Sequence, residues 1–340
     1  MAAKGDATNL IDEQPTSAPP KRRTADLGGV PTGAPAQDSP LERGAAAALT
    51  RIDLGKADKA DRYETPWFLT LAPEGAAEPL LRAVSGRSFK ERDGEYAAQG
   101  WFWWVMGNLV AIEFGADLVR TPAENPEAWR SVERAAALLG KHRPRRGLNG
   151  VIAVLPARVL QDTEAARLLG ERLRAVVLEM TVTLDLDLPI HVIVTELDRL
   201  PGHAAFAAAC EAGADTMLGH RFDPPRGVAK LHDAFDPVFD ALAAQLDRVR
   251  LGLLLASAED ADRHGLFEWF ERVRDLRVGL ATSLRALLEE DLHQPRLVWR
   301  GLYLTAPGAP PGARMTSPIF ERFLPEDSHW VRRRGEASTL

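Results

Sequence analysis

The stretch YETPWFLTLAPEGAAEPLL, from Tyr63 to Leu81, decides how this chain is read. Trp67–Leu71 is an apolar run of the residue types that fill buried strands. Pro73-Glu74-Gly75 makes a turn, and a helix is expected from near Pro79, a residue tolerated in a first helical turn. Strand, tight loop and helix form the setting of a phosphate-binding loop. Such a loop reads G-x-x-x-x-G-K-[ST]: backbone N–H groups cradle the phosphates, the Lys reaches the outer phosphates and the hydroxyl holds Mg²⁺. The equivalent positions here are Ala72, Pro73, Glu74, Gly75, Ala76, Ala77, Glu78 and Pro79. A carboxylate at Glu78 repels a polyphosphate, and Pro79 offers neither hydroxyl nor backbone donor. On its own the octamer would not suggest a nucleotide loop; the flanking sequence does.

Outward from this stretch, the sequence alternates strands with helices. Gly100–Val105 and Leu109–Ile112 flank the turn Met106-Gly107-Asn108 and are expected as a hairpin. The three tryptophans 101, 103 and 104 are expected in the core rather than on a stacking platform, since no basic groove accompanies them. Asn125–Lys141 has helical spacing, Val151–Leu155 reads as a strand buried on both faces, Asp162–Met180 as an amphipathic helix and Pro189–Val194 as another buried strand. This alternation predicts an α/β domain with a mostly parallel sheet, whose functional loops gather at the carboxyl ends of the strands. The Ala72 loop and the Thr195-Glu-Leu-Asp198 loop both fall there. Leu231–Ala258 and Gly265–Leu292 read as two long helices, Leu297–Leu304 as a strand and Ile319–Leu324 as a short closing segment.

Residues 1–45 are rich in Ala, Pro, Gly, Thr and Ser and are expected as a disordered tail, with Lys21-Arg22-Arg23 a solvated basic cluster within it. The expected division is then an α/β domain over 46–202, opening with a short helix before Tyr63, a mainly helical extension with a final strand over 203–330, and a frayed tail over 331–340.

Composition limits the function. A formal charge of −6 argues against a general nucleic-acid binder. The single cysteine, Cys210, excludes an internal disulfide and is expected in the core. The eight histidines lack metal-ligand spacing, Asp185 and Asp187 read as a solvated loop, and no G-x-S-x-G nucleophile elbow occurs. No basic flank with an apolar core opens the chain and no apolar run approaches 18 residues, so a cytoplasmic protein without a transmembrane segment is expected.

Several segments together resemble one family, the cytoplasmic N-terminal domain of the type VI secretion protein TssM, also called IcmF. That family opens with L-P-W-Y-L-V-I-G-P-P-G-A-G-K-T-T, in whose place stands Thr65-Pro66-Trp67-Phe68-Leu69-Thr70-Leu71-Ala72-Pro73. Its W-W pair and L-D-T-A-G-R-Y strand are similar to Trp103-Trp104 followed by Ala111-Ile112-Glu113-Phe114-Gly115. Its R-P-R-R-x-x-N-G-V is matched by Arg143–Val151, its P-V-Y-L-V-V-T-K-C-D by Pro189–Asp198 and its R-G-x-Y-F-T-S by Arg300–Ala306. These matches run in order from about residue 63 to 330.

The resemblance implies a P-loop NTPase-like, small-GTPase-like sheet flanked by helices. It also marks what this sequence has changed. The phosphate loop lacks Lys and Ser/Thr, Glu113 replaces the metal-side Asp, and Glu196 replaces the Lys of T-K-C-D while Thr195 and Asp198 are kept. A vestigial nucleotide loop is therefore expected at Ala72, Gly75, Ala77, Glu78, Pro79, Glu113, Thr195 and Asp198, with no cofactor and no catalytic residue. Residual nucleoside binding through Asp198 stands against a helix-cap role. A replacement cation near Glu78 would have to be Arg82 or Arg87, which a helix carries away from the loop.

The expected function is that of a pseudo-NTPase, a stand-alone or truncated form of the cytoplasmic module. It would contact other type VI secretion proteins of the membrane complex or baseplate, with membrane association only through partners and no nucleic acid. The alternatives are an active ATP- or GTP-hydrolysing enzyme with atypical ligands and a soluble regulator competing with full-length TssM. The candidate contact surfaces are the run Lys141–Arg146 and the exposed face of the helices between 231 and 292. Lys141 and His142 are expected to complement a helix dipole, and Arg143, Arg145 and Arg146 to play a structural or interaction role, which for Arg145 and Arg146 would be one such as carboxylate pairing inside the domain.

Overall fold

Trp67–Leu71 is the central strand, β1, and its five residues are all buried. In the computed structural model the chain is described over residues 63–84, 101–211, 218–222, 231–256, 260–308 and 312–334. These lie in the compact unit Asp38–Leu340; a second unit, Met1–Gln37, falls outside them. The readings for residues 1–62, for 85–100 with Arg87, and for 335–340 also fall outside the described residues.

After β1, the loop 72–76 leads into helix α1 (Ala77–Val84). The expected hairpin is present as β2 (Trp101–Val105) and β3 (Val110–Phe114), antiparallel, with Met106 N–H donating to Leu109 O at 2.9 Å across the turn. Helix α2 (Pro126–His142) follows, started by the Asn125 side chain, which accepts from the Ala128 N–H. Then come β4 (Gly150–Pro156), the single turn α3 (Ala157–Leu160), and α4 (Thr163–Leu184), capped by Asp162. The strands β5 (Leu186–Asp187) and β6 (Pro189–Thr195) precede α5 (His203–Glu211), which carries the buried Cys210.

Strand β7 (Leu218–Arg221) is short and was not foreseen. It is followed by α6 (Leu231–Ala256), α7 (Asp260–Asp275) and α8 (Arg277–Leu288). The apolar rhythm expected to make one helix over 265–292 is divided at Leu276, which turns the chain so that α8 lies along α4. The chain ends in β8 (Val298–Leu304), α9 (Gly312–Pro318), a π turn (Ile319–Phe323), α10 (Leu324–Asp327) and β9 (Arg332–Arg333).

The main sheet has seven strands in the order β2-β3-β1-β4-β6-β8-β7. Its five central strands are parallel and both outer strands antiparallel. β8 lies between β6 and β7, so the segment expected as a helical extension supplies two strands of the same sheet. One face carries Leu69, Ile112, Ala153 and Val192, covered by α2, α4 and the later helices. The other carries Phe68, Ala111, Ile152 and Ile193, covered by α1 and by Ile319, Phe320 and Leu324. Trp101, Trp103 and Trp104 are buried, as expected of core residues.

Residues 331–334, expected within a frayed tail, are held: β9 pairs antiparallel with β5 and Val331 is buried. Asp185 makes this pairing possible by taking a left-handed conformation (φ 54°) that turns the end of α4 back into β5.

Candidate functional site

The direction of the sheet reverses around β1. From β1 the chain moves out to β3, and from β3 it crosses back to β4. The loops leaving β1 and β3 therefore part at the carboxyl end of the sheet and leave a crevice, the usual ligand position in open α/β sheets. A cavity of about 910 Å³ opens there. It is lined by Glu74, Gly75 and Glu78 of the β1 loop, by Glu113 and the segment after it, by one face of α2, and by Arg158 and Arg172.

The loop is a tight turn. Ala76 N–H donates to Pro73 O at 3.2 Å, and Gly75 takes φ +73° with open space around it, a conformation that glycine adopts without strain. Helix α1 begins at Ala77, so Pro79 occupies its first turn and removes an N–H that could have met an anion. Glu78 puts its own carboxylate there and is held by Arg82, whose Nε donates at 2.8 Å. Glu113, opposite Thr70 on β1, is buried and accepts from the Trp104 indole at 2.8 Å. Arg82 is thus the partner of Glu78 rather than a replacement cation.

The cation that does reach the loop is Arg158, on α3 just beyond β4. Its Nη2 donates to the Glu74 carbonyl oxygen at 2.7 Å, and its Nη1 pairs with Glu196. Burial, then the charge of Arg199, pulls its pKa below the usual range while Glu74 opposes; a guanidinium stays charged throughout. Glu196 is 5% exposed and sits in a left-handed conformation (φ 64°), a strain of about 1–3 kcal/mol for a residue with a side chain. Arg158 and Arg199, the latter at 3.2 Å, hold it in place. One side chain therefore joins the β1 loop to the loop after β6. Sequence reading overlooked Arg158, though a cation immediately past the carboxyl end of a buried parallel strand is a usable signal.

Among the positions expected as a vestigial nucleotide loop, the cavity brings together Gly75, Glu78 and Glu113. Thr195 and Asp198 are not in its lining: Thr195 is buried, and the Asp198 carboxylate packs against Gly308, where an added Cβ would lie 2.3 Å from Oδ2. Ala72 and Ala77 are buried in the core beneath the loop.

The Arg143–Asn149 segment is built into the fold. Arg143 is buried with its guanidinium 4.7 Å from the Trp67 ring centre and 5.1 Å from that of Tyr63, and its Nη1 donates to Asn149 Oδ1 at 3.3 Å. Asn149 in turn accepts from Trp67 N–H at 2.9 Å and donates to Ser328 O at 3.0 Å. Arg146 also donates to Ser328 O, at 3.4 Å, whereas the Arg145 side chain is exposed. On the helices between 231 and 292, Leu251, Leu255 and Phe267 are exposed apolar residues.

A second buried polar cluster lies under the closing segment. Asp327, fully buried, accepts from Arg300 Nε and Nη2 at 2.7 Å each and pairs with Arg221. Burial pushes its pKa up, but the hydrogen bonds from Arg300 and Arg221 outweigh this and hold it below the ordinary carboxylate range. His191 Nε2 lies 3.8 Å from Asp327, and burial pulls the imidazole down to about 3, so it is neutral.

The fold and the site define an α/β domain of the open, mostly parallel kind, with a crevice at its switch point and a loop between β1 and α1 where a ligand is ordinarily held. The IcmF-related N-terminal domain family matches residues 123–334, and the chain belongs to that family. It is also 25% identical over 293 residues to the type VI secretion system component TssM1 of Pseudomonas aeruginosa, a match covering 81% of this chain and 26% of that protein. The chain thus spans about a quarter of that relative's length. No solved structure matches. Among the described residues no helix is long and apolar enough to cross a membrane.

Proposed function

We propose that this chain is a non-catalytic, P-loop NTPase-like module that serves a type VI secretion system on its cytoplasmic side through protein–protein contacts with the membrane complex or the baseplate. Family membership and the name of the Pseudomonas relative support the secretion role. The reversal of the sheet at β1, with a tight loop leading into α1, supports the P-loop-like, small-GTPase-like reading.

The observation that carries the non-catalytic reading is Arg158. In a working site the space over the loop belongs to phosphate oxygens. Here a guanidinium of the chain itself stands at its edge, tied to Glu74 O and to Glu196. The positions that would neutralise a γ-phosphate hold Glu78 and Pro79, and a carboxylate there, even paired with Arg82, offers a phosphate no favourable charge. Loss of a single transition-state donor typically costs about 10²–10³ in rate, and two such groups are replaced.

Calorimetric titration with ATP and GTP in the presence of Mg²⁺, with melting temperature followed in parallel, tests this reading. No heat and no shift at millimolar nucleotide is expected, since a ligand that binds only the folded state must raise the melting temperature. Mg²⁺-dependent binding accompanied by phosphate release would refute it and favour an enzyme with atypical ligands.

A further inference from the structure

The cavity at the switch point extends beyond Gly75, Glu78 and Glu113, the nucleotide-loop positions that line part of it. Arg158 stands at its border, and its lining extends away from Thr195 and Asp198 toward α2. On that side lie Arg120, which follows the 3-10 turn Ala116–Leu118, and Arg130 and Arg134 on α2. Among the described residues none of the three has an ion-pair or hydrogen-bond partner. The other two lining arginines are taken: Arg158 by Glu196, and Arg172 by Glu124, whose pKa that hydrogen bond lowers to about 2. Three unpaired guanidiniums around one cavity are a recognition surface for planar anions, which they grip bidentately.

We infer that this cavity is a docking site for an extended acidic segment of a partner protein, with carboxylates on alternate residues held by Arg130 and Arg134 and a third acidic group reaching Arg120. This deepens the protein-contact reading above and rests on it.

Three observations select a peptide carboxylate over a phosphate ligand or a nucleic acid. Arg130 and Arg134 are one helical turn apart, about 6 Å along the axis. Alternate side chains of an extended strand repeat at about 6.6 Å on one side, which matches. The lining also contains Glu74, Glu78, Glu113, Asp117 and Glu127, so a compact polyphosphate would set its charge against all of them, while an extended peptide can place its carboxylates at the three arginines and turn its backbone N–H groups toward these acceptors. The volume of about 910 Å³ is at the upper end of ligand pockets and suits several residues of an inserted segment. Arg130 and Arg134 are exposed and Arg120 half-buried, so the grip is reachable from solvent without opening the core.

The test is fluorescence anisotropy with the purified chain and a short labelled peptide of alternating Glu and Ser, against the same peptide with every Glu replaced by Gln, and against inorganic tripolyphosphate as competitor. Saturable binding of the Glu peptide alone is expected. It should weaken about tenfold or more in Arg130→Glu/Arg134→Glu and several-fold in Arg120→Ala. Arg248→Glu, an exposed charge change on α6 outside the cavity, should leave it unchanged. Melting temperatures check folding, with Arg130→Gln/Arg134→Gln as the milder substitute.

Absence of saturable binding at millimolar peptide overturns the inference. So does equal weakening by Arg248→Glu, which would mean unspecific attraction. Tripolyphosphate binding more tightly than the peptide also overturns it, in favour of a phosphate ligand. Nucleotide hydrolysis with peptide binding intact would refute only the non-catalytic reading. Loss of peptide binding with no nucleotide binding would refute only the docking site.

Discussion

Asp327→Ala should be the most damaging single charge removal in the described part of the fold. The Asp327 carboxylate is fully buried and is the acceptor for two hydrogen bonds from Arg300, itself 1% exposed. Arg221 survives the change, because Glu326 accepts from it at 2.8 Å. Arg300 would be left as a buried charge without its counter-ion, which costs about 3–5 kcal/mol. At roughly 2 °C per kcal/mol for a unit of this size, the melting temperature should fall by about 6–10 °C. Urea unfolding followed by tryptophan fluorescence measures the loss directly, and Trp299 on β8 and Trp330 near the closing segment report on the same region. The double variant Arg300→Met/Asp327→Leu should recover most of the loss, since a well-packed apolar pair can replace a buried ion pair at little cost. A loss below about 1 kcal/mol for Asp327→Ala would refute the reasoning, because it would mean that water already solvates the pair.

Other outcomes follow from the same packing. Gly170 on α4 lies against α8, where an added Cβ would come within 2.3 Å of Ser283 O, whereas a Cβ at Gly252 on α6 meets nothing within 4 Å. Gly170→Ala should therefore destabilise by about 1–3 kcal/mol and Gly252→Ala stabilise by about 0.5–1 kcal/mol, both read from urea midpoints. His191 stays neutral when folded down to about pH 3, while the unfolded imidazole protonates near 6.5. Its contribution to stability is complete above pH 6.5 and is lost as pH falls toward 3, at up to about 1.4 kcal/mol per pH unit. The fall in urea midpoint between pH 7 and 5 should be smaller in His191→Gln; identical profiles would contradict this. Arg158→Ala should free the Glu74 carbonyl and raise amide exchange in the peptide covering residues 72–76, with unchanged exchange there as the contrary result.

Much of the architecture was legible because buried parallel strands announce themselves as apolar runs: Trp67–Leu71, Gly150–Pro156 and Pro189–Thr195 could hardly be anything else. Gly107-Asn108 marked the hairpin, and apolar spacing marked the helices after Asn125 and Asp162, whose side chains cap them in the structure. Strand β7 escaped because Leu-Gly-His-Arg is a short, half-polar edge whose pairing with β8 is set by tertiary context. The break at Leu276 escaped because an apolar residue there continues the helical rhythm on both sides. At the site, Glu78 and Pro79 at the start of α1 could be read directly from the sequence. Arg158 and Glu196 meet only when β4 and β6 lie side by side, and Asp327 looks in sequence like any acidic residue at a helix end.

The closing segment also determines when this protein can finish folding during synthesis. Asn108 in the first hairpin donates to the carbonyls of Phe320 and Glu321, Asn149 to that of Ser328, and Arg333 to that of Pro144. Until those late residues leave the ribosome, α1 is the only helix among the described residues that covers the face of the sheet carrying Phe68, Ile152 and Ile193. The nascent domain therefore presents part of an apolar face until residues 319–334 have been made.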